Sequence, residues 1–209
     1  MKPQTIILTA ALFLAGCGGG ERTVEIEGTF AGFEGAAVSG VRVQAQDRDG
    51  AAVSGPDGAF AFTVRKHYAA NFLPVSGVYL DPVSLYAEGP DGAAGYGAAM
   101  ALSTSGQADP ALLVLLPEAM LAEAQAQLDS RGAQCGGVPG RAFAHAFLGH
   151  LDQIAAQDRF RRAVADGVTG QGLRWRVEQL LMGARTDCGL SEENWRGDLD
   201  ALEAVFDPQ

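Results

Sequence analysis

The sequence predicts an α+β protein: an N-terminal antiparallel β-sandwich followed by a small C-terminal α-helical bundle. Two periodicities carry the prediction. From Arg22 to Leu116 apolar residues recur at every second position, punctuated by Asp-Gly dipeptides. From Pro117 onward the apolar spacing changes to three and four, the period of a helix with one buried face. Composition agrees: 47% of the 209 residues are hydrophobic and 19% charged, enough apolar material to build a core and too much for a disordered chain. The formal net charge is −10, from 25 acidic against 15 basic side chains. That balance excludes a nucleic-acid partner, which needs clustered Lys and Arg against phosphate.

The chain opens with a different kind of segment. Lys2 adds positive charge beside the terminal amine, and an apolar run follows from Ile6 to Leu14, broken only by Thr9. The run is too short to span a bilayer, which takes about 20 residues, but has the length of a secretory h-region. It ends in Leu14-Ala15-Gly16-Cys17. Positive charge, h-region, small residues and Cys in that order resemble the lipobox of bacterial lipoproteins. The resemblance implies a signal peptide at residues 1–16, acyl chains such as palmitate on Cys17, and a lipidated Cys with a Gly-rich tether at 17–21. It also implies a cell-envelope address. Gly18 stands where Asp would retain a Gram-negative lipoprotein at the inner membrane, so the expectation leans to the outer membrane, facing the periplasm or the surface. With Cys17 lipidated, Cys135 and Cys188 remain, and an oxidising compartment makes a disulfide the expected state of that pair.

Residues 22–116 supply the strands. Val24, Ile26 and Phe30 alternate with Thr23, Glu25, Glu27 and Thr29; Val41, Val43 and Ala45 alternate with Arg42, Gln44 and Gln46. Phe60, Phe62 and Val64 form a third run, Val83, Leu85 and Ala87 a fourth, and Met100 and Leu102 continue the pattern. Asp49-Gly50, Asp57-Gly58 and Asp91-Gly92 accept the positive φ of tight turns. Leu112 to Leu116 is wholly apolar and reads as a strand buried on both faces, a helix start being the other reading. The stretch Gly28 to Val64 resembles the opening of the carboxypeptidase regulatory-like domain: Val38, Gly40, Val41 and Val43 match its second strand, and Asp57, Gly58, Phe60 and Phe62 its third. That resemblance implies a transthyretin-like sandwich used as a structural or accessory module.

Residues 117–209 supply the helices. Pro117 suits a helix start and Glu118 the positive helix end. Met120, Ala124 and Leu128 share a face; so do Phe143, Phe147, Leu151 and Ile154, with Phe160 and Val164 beyond a break near Gln157-Asp158. Leu173, Val177, Leu180 and Ala184 make a third stripe. Ser191 is an N-cap for a last helix bearing Trp195, Leu199, Leu202 and Phe206. Four or five short helices are expected, with Gly167, Gly170 and Gly172 connecting two of them.

The search for chemistry finds little. His145 and His150, five apart, would lie about 140° apart around a helix, unlike the one-face pair of H-E-x-x-H. No C-x₂-C, nucleophile elbow or P-loop is present, and Asp47-Arg48-Asp49-Gly50 lacks the later acid of a calcium loop. No catalytic residue, metal or cofactor is assigned. Arg159, Arg161 and Arg162 form the basic cluster, read as a solvated helix face or a contact for an acidic partner or lipid headgroups. The Lys66–Pro82 stretch offers a candidate binding surface in Lys66, His67, Tyr68, Phe72 and Tyr79, unless its aromatics fold inward. The expected function is a non-catalytic structural or binding module, held to the membrane by its lipid and meeting an envelope protein partner. Two other readings stand beside it. One is a periplasmic hydrolase using His145 or His150 with Asp152 or Glu178; the other is an inhibitor or immunity-type lipoprotein.

Overall fold

A computed structural model describes residues 20–68, 80–102, 108, 111–131 and 139–207. Seven strands in two sheets are followed by C-terminal helices. The strands are β1 (Gly20–Ala31), β2 (Arg42–Ala45), β3 (Ala51–Val53), β4 (Ala59–Tyr68), β5 (Leu80–Glu88), β6 (Ala94–Leu102) and β7 (Ala111–Val114). One sheet has the order β4-β1-β7 and the other β3-β2-β5-β6. Alternation does its expected work in β1, where Val24, Ile26 and Phe30 are fully buried while Thr23, Glu25, Glu27 and Thr29 are exposed. Apolar side chains of both sheets meet in one cluster that includes Ile26, Phe30, Val43, Phe62, Leu85 and Leu113. The turns follow their chemistry: Gly58 and Gly92 both take φ +76°, and the Ala59 N–H donates to Asp57 Oδ1 at 3.0 Å.

The sheets are not wholly antiparallel. β1 pairs antiparallel with β4, from Gly20↔Tyr68 to Thr29↔Ala59, but parallel with β7, from Gly28↔Ala111 to Ala31↔Val114. β7 is buried on both faces, Leu113 and Leu115 joining the cluster to which both sheets contribute while Leu112, Val114 and Leu116 join the cluster of the helices. β6 departs from the simple alternating reading, since every residue from Ala94 to Met100 is buried. Its small residues explain this. Cβ atoms added at Gly95 and Gly97 would lie 2.8 Å from the Val114 carbonyl oxygen and 2.6 Å from Leu113 Cδ2, so β7 crosses close over one side. A Cβ at Gly172 would lie 3.2 Å from Ala98 Cβ and 3.0 Å from Met100 Sδ, so a helix lies equally close on the other.

The helices are α1 (Glu118–Arg131), α2 (Pro139–Gly149), α3 (Leu151–Ala155), α4 (Asp158–Asp166), α5 (Val168–Cys188) and α6 (Glu192–Phe206). There are six among the described residues, and α5 runs for 21 residues. Gly170 and Gly172 lie inside α5 rather than in a connection; Gly167 alone, at φ +80°, separates α4 from α5. Nor do the helices keep a core to themselves. Phe143, Phe147, Phe160, Leu173, Val177 and Leu202 share one cluster with Tyr96, Leu112, Val114 and Leu116 of the strands. A chain of rings crosses the boundary: Tyr86, Tyr96, Phe143, Phe147, Phe160 and Phe206 follow one another at centroid distances of 5.0, 5.3, 5.9, 6.1 and 5.8 Å. No helix among the described residues is long and apolar enough to cross a membrane.

Candidate binding cleft

The basic cluster of the sequence sits on α4. Arg159 and Arg162 are three residues apart and share a helix face, whereas Arg161 lies off that face. Arg161 points to a separate, mostly apolar groove lined by Ala155, Phe160, Val164, Val205 and Phe206, its Nε donating to the Ala155 carbonyl at 3.2 Å. Arg159 crosses to β1, where its Nη2 donates to both the carbonyl oxygen and Oγ1 of Thr29. Gln157, just ahead of the helix, donates to the Phe33 carbonyl and fixes the entry of α4 against the end of the same strand. Arg162 Nε donates to the Asp158 carbonyl at 3.3 Å, within its own helix.

These contacts frame an open cleft of about 590 Å³. Thr29, Ala111 and Leu112 form its floor, brought together by the parallel β1–β7 register, in which Thr29 is paired with Leu112. Arg159, Arg162, Ala163 and Asp166 form one wall; Val168 and Thr169, the first turn of α5, complete it. The positive end of the α5 helix dipole therefore opens on the same space as two guanidinium groups. Among the described residues no carboxylate oxygen lies within 4 Å of a cationic nitrogen of Arg159 or Arg162. Burial, and then the neighbouring charge of Arg162, hold the Arg159 guanidinium below its ordinary value.

The other candidates are dispersed. His145 is half-buried on α2; among the described residues its Nε2 has no hydrogen-bond partner, and burial together with the positive charge of Arg131 pushes its pKa down. His150, between α2 and α3, meets the Phe33 ring edge-on at 5.6 Å. His150 and Asp152 line a cleft of about 380 Å³ against α6, and neither His145 nor Glu178 lines it. Among the described residues neither imidazole is hydrogen-bonded or ion-paired to a carboxylate, and no three ligating side chains gather as a metal site.

Lys66 is 6% exposed, on the inward face of β4, so it belongs to the interior rather than to a contact surface. His67 and Tyr68 end the same strand, opposite Glu21 and Gly20; their side chains lie outside the described residues, as do Phe72 and Tyr79. Cys17 and Cys135 also lie outside them. Cys188 ends α5 at 8% exposure, packed with Leu128, Ala184 and Leu190. Arg141 Nη1 stands 3.8 Å from its sulfur, while Arg141 Nη2 pairs with Asp187.

The tandem arginines are visible in the sequence; what they face is not, because Thr29 lies 130 residues from Arg159. No family model, curated protein or solved structure matches the chain.

Proposed function

We propose that the protein is a lipid-anchored lipoprotein of the bacterial cell envelope that acts as a non-catalytic binding module. The observation that carries the reading is the sequence of features in the leader, Lys2, Ile6–Leu14 and Leu14-Ala15-Gly16-Cys17, followed three residues later by the start of β1 at Gly20. One acyl chain holds a protein only marginally, but two or three make release slow. In this reading the two sheets form a sandwich, supported by the single apolar cluster to which both contribute and by the Asp57-Gly58 turn leading into Phe60 and Phe62 of β4. The arginine-lined cleft is the binding surface, and an envelope protein or a small ligand is its partner.

Cys135 and Cys188 form a disulfide in the same reading. Leu128 and Arg141 both lie against Cys188. Cys135 is seven residues from one and six from the other, so its chain is within reach of the sulfur at about 3.3–3.6 Å per residue.

Labelling producing cells with radioactive palmitate, followed by mass spectrometry of the mature N-terminus, tests the anchor. Label on the wild type and none on Cys17→Ser is the expected result. An unlabelled protein that fractionates as soluble would overturn the reading.

A further inference from the structure

We infer that the cleft between α4, the start of α5 and the β1–β7 edge binds the phosphate group of a small phosphate monoester. The chain carries a net charge of −10, with 25 acidic side chains available. Yet it sets Arg159 and Arg162 side by side on a cavity wall with no carboxylate, among the described residues, in ion-pair contact. Two adjacent guanidiniums repel each other, and Arg159 is partly desolvated as well. An arriving oxyanion relieves both costs.

A tetrahedral dianion suits this wall better than a planar carboxylate. Two guanidinium groups stand on the α4 wall, Arg159 with its Nη2 on Thr29, and the first turn of α5, Val168 and Thr169, lines the same space. The size fits too: about 590 Å³ falls within the range of small-ligand pockets, roughly 300–1,000 Å³. Asp166 lines the same wall and offers an acceptor to a hydroxyl of the ligand body. The apolar floor of Ala111 and Leu112 gives that body a surface to rest on. The inference rests on reading the chain as a binding module; the phosphate site itself does not require lipidation, and only the choice of a free ligand over a headgroup does.

The same chemistry is offered by a free phosphate monoester and by a phospholipid headgroup; the structure favours the free ligand. Thr29 is nine residues along β1 from Gly20, about 30 Å at the rise of an extended strand. The cleft is thus at the opposite end of β1 from the anchored terminus.

The test is isothermal titration calorimetry of the full-length protein with glycerol 3-phosphate at constant ionic strength, with glycerol as the uncharged control. Saturable binding of glycerol 3-phosphate and none of glycerol is expected. Arg159→Gln and Arg162→Gln should each weaken it by about tenfold or more, the worth of one charge-assisted hydrogen bond. Arg161→Gln removes the same charge from the same helix but off the cleft, and should leave affinity within about twofold. If Arg159→Gln fails to fold because its Thr29 contacts are lost, Arg162→Gln decides, since its recorded bond stays within α4.

Three results would overturn the inference. The wild type fails to saturate; or Arg161→Gln weakens binding as much as the other two, which marks a diffuse field; or glycerol 3-phosphate is ignored while phosphatidylglycerol vesicles bind with the same arginine dependence, which makes the source a headgroup. Palmitate labelling of Cys17 is read independently, so failure here and failure of the anchor are separable.

Discussion

Replacing Phe143 by alanine tests whether strands and helices fold as one body. The ring is fully buried and lies 5.3 Å from Tyr96 of β6 and 5.9 Å from Phe147 of its own helix. Truncating a buried Phe costs about 3–5 kcal/mol in transfer and cavity terms. The aromatic pairs lost on either side are worth about 0.5–1.5 kcal/mol each beyond area, and overlap with that figure rather than adding to it. A loss of about 4 kcal/mol is a large share of the 5–15 typical of a native protein. With a urea slope of about 2.5 kcal/mol per molar, the midpoint should fall by about 1.5 M. Val53→Ala, at a side chain 65% exposed, is the control and should move stability by less than about 0.5 kcal/mol. The assay is urea unfolding followed by far-ultraviolet circular dichroism and by the fluorescence of Trp175 and Trp195, both of which sit on helices. Coincident transitions, shifted together by the substitution, are expected. If the helices melt in a separate step while the sheet signal persists, or if Phe143→Ala costs less than about 1 kcal/mol, the shared core has been misread.

Three further outcomes follow from the packing and the titrating groups. Non-reducing mass spectrometry should find Cys135 joined to Cys188, and Cys188→Ser should cost up to about 4 kcal/mol by the chain-entropy relation for a loop of roughly 50 residues; two free thiols besides Cys17 in the unfolded, unreduced protein would remove the bridge. Gly97→Ala should cost about 1–3 kcal/mol, because its Cβ would lie 2.9 Å from the Leu112 carbonyl oxygen as well as against Leu113, whereas Gly149→Ala, with nothing within 4 Å, should be neutral or better in the same urea titration. For His145, whose pKa is pushed below 6.5, the unfolded chain takes up its proton first, so this group's contribution is complete above pH 6.5 and is lost as pH falls below it. Asp198, raised by burial, has the opposite sign and strengthens the fold as pH falls through its raised value. His145→Gln should flatten the loss just below pH 6.5, measured as urea midpoint against pH; an unchanged slope would show that another group carries it.

What could be read in advance was whatever a short stretch of chain decides alone. The alternation of Val24, Ile26 and Phe30 needs only one buried face, and Asp57-Gly58 and Asp91-Gly92 need only their own backbone. The all-apolar run at Leu112–Leu116 was legible as a strand buried on both sides for the same reason. The failures share a cause as well. β6, with the sequence AGYGAAMAL, looks like a weak strand because Ala and Gly give little hydropathy contrast. Its smallness records two neighbours, β7 and α5, that no local pattern announces. Gly170 and Gly172 looked like a connection because glycine costs about 1 kcal/mol inside a helix. That cost is met by close approach: a Cβ at Gly170 would lie 2.9 Å from Val164 Cα. Lys66, the lysine expected on a contact surface, continues the inward face of β4 in step with Phe62 and Val64, and the alternation already contained that answer.

The cleft was the least legible part because it exists only through a parallel pairing. A parallel register cannot be set by a turn, so nothing near Thr29 or Leu112 in the chain announces that they will be partners. Once β7 lies parallel beside β1, Thr29 and Leu112 sit side by side on the floor of the cleft. Arg159 then ties α4 to that strand end, and the left-handed Gly167 turns the chain straight from α4 into α5. Two arginines and a helix start are thereby delivered to one space, with Arg159 lying 130 residues along the chain from Thr29 of the floor. The apolar core explains why α5 lies where it does, since Leu173, Val177 and Leu181 are buried along its length. It does not explain why the N-terminal end of that helix meets two guanidiniums that, among the described residues, have no carboxylate in ion-pair contact. A ligand with an anionic group for Arg159 and Arg162 and a hydroxyl for Asp166 is the occupant inferred for this wall.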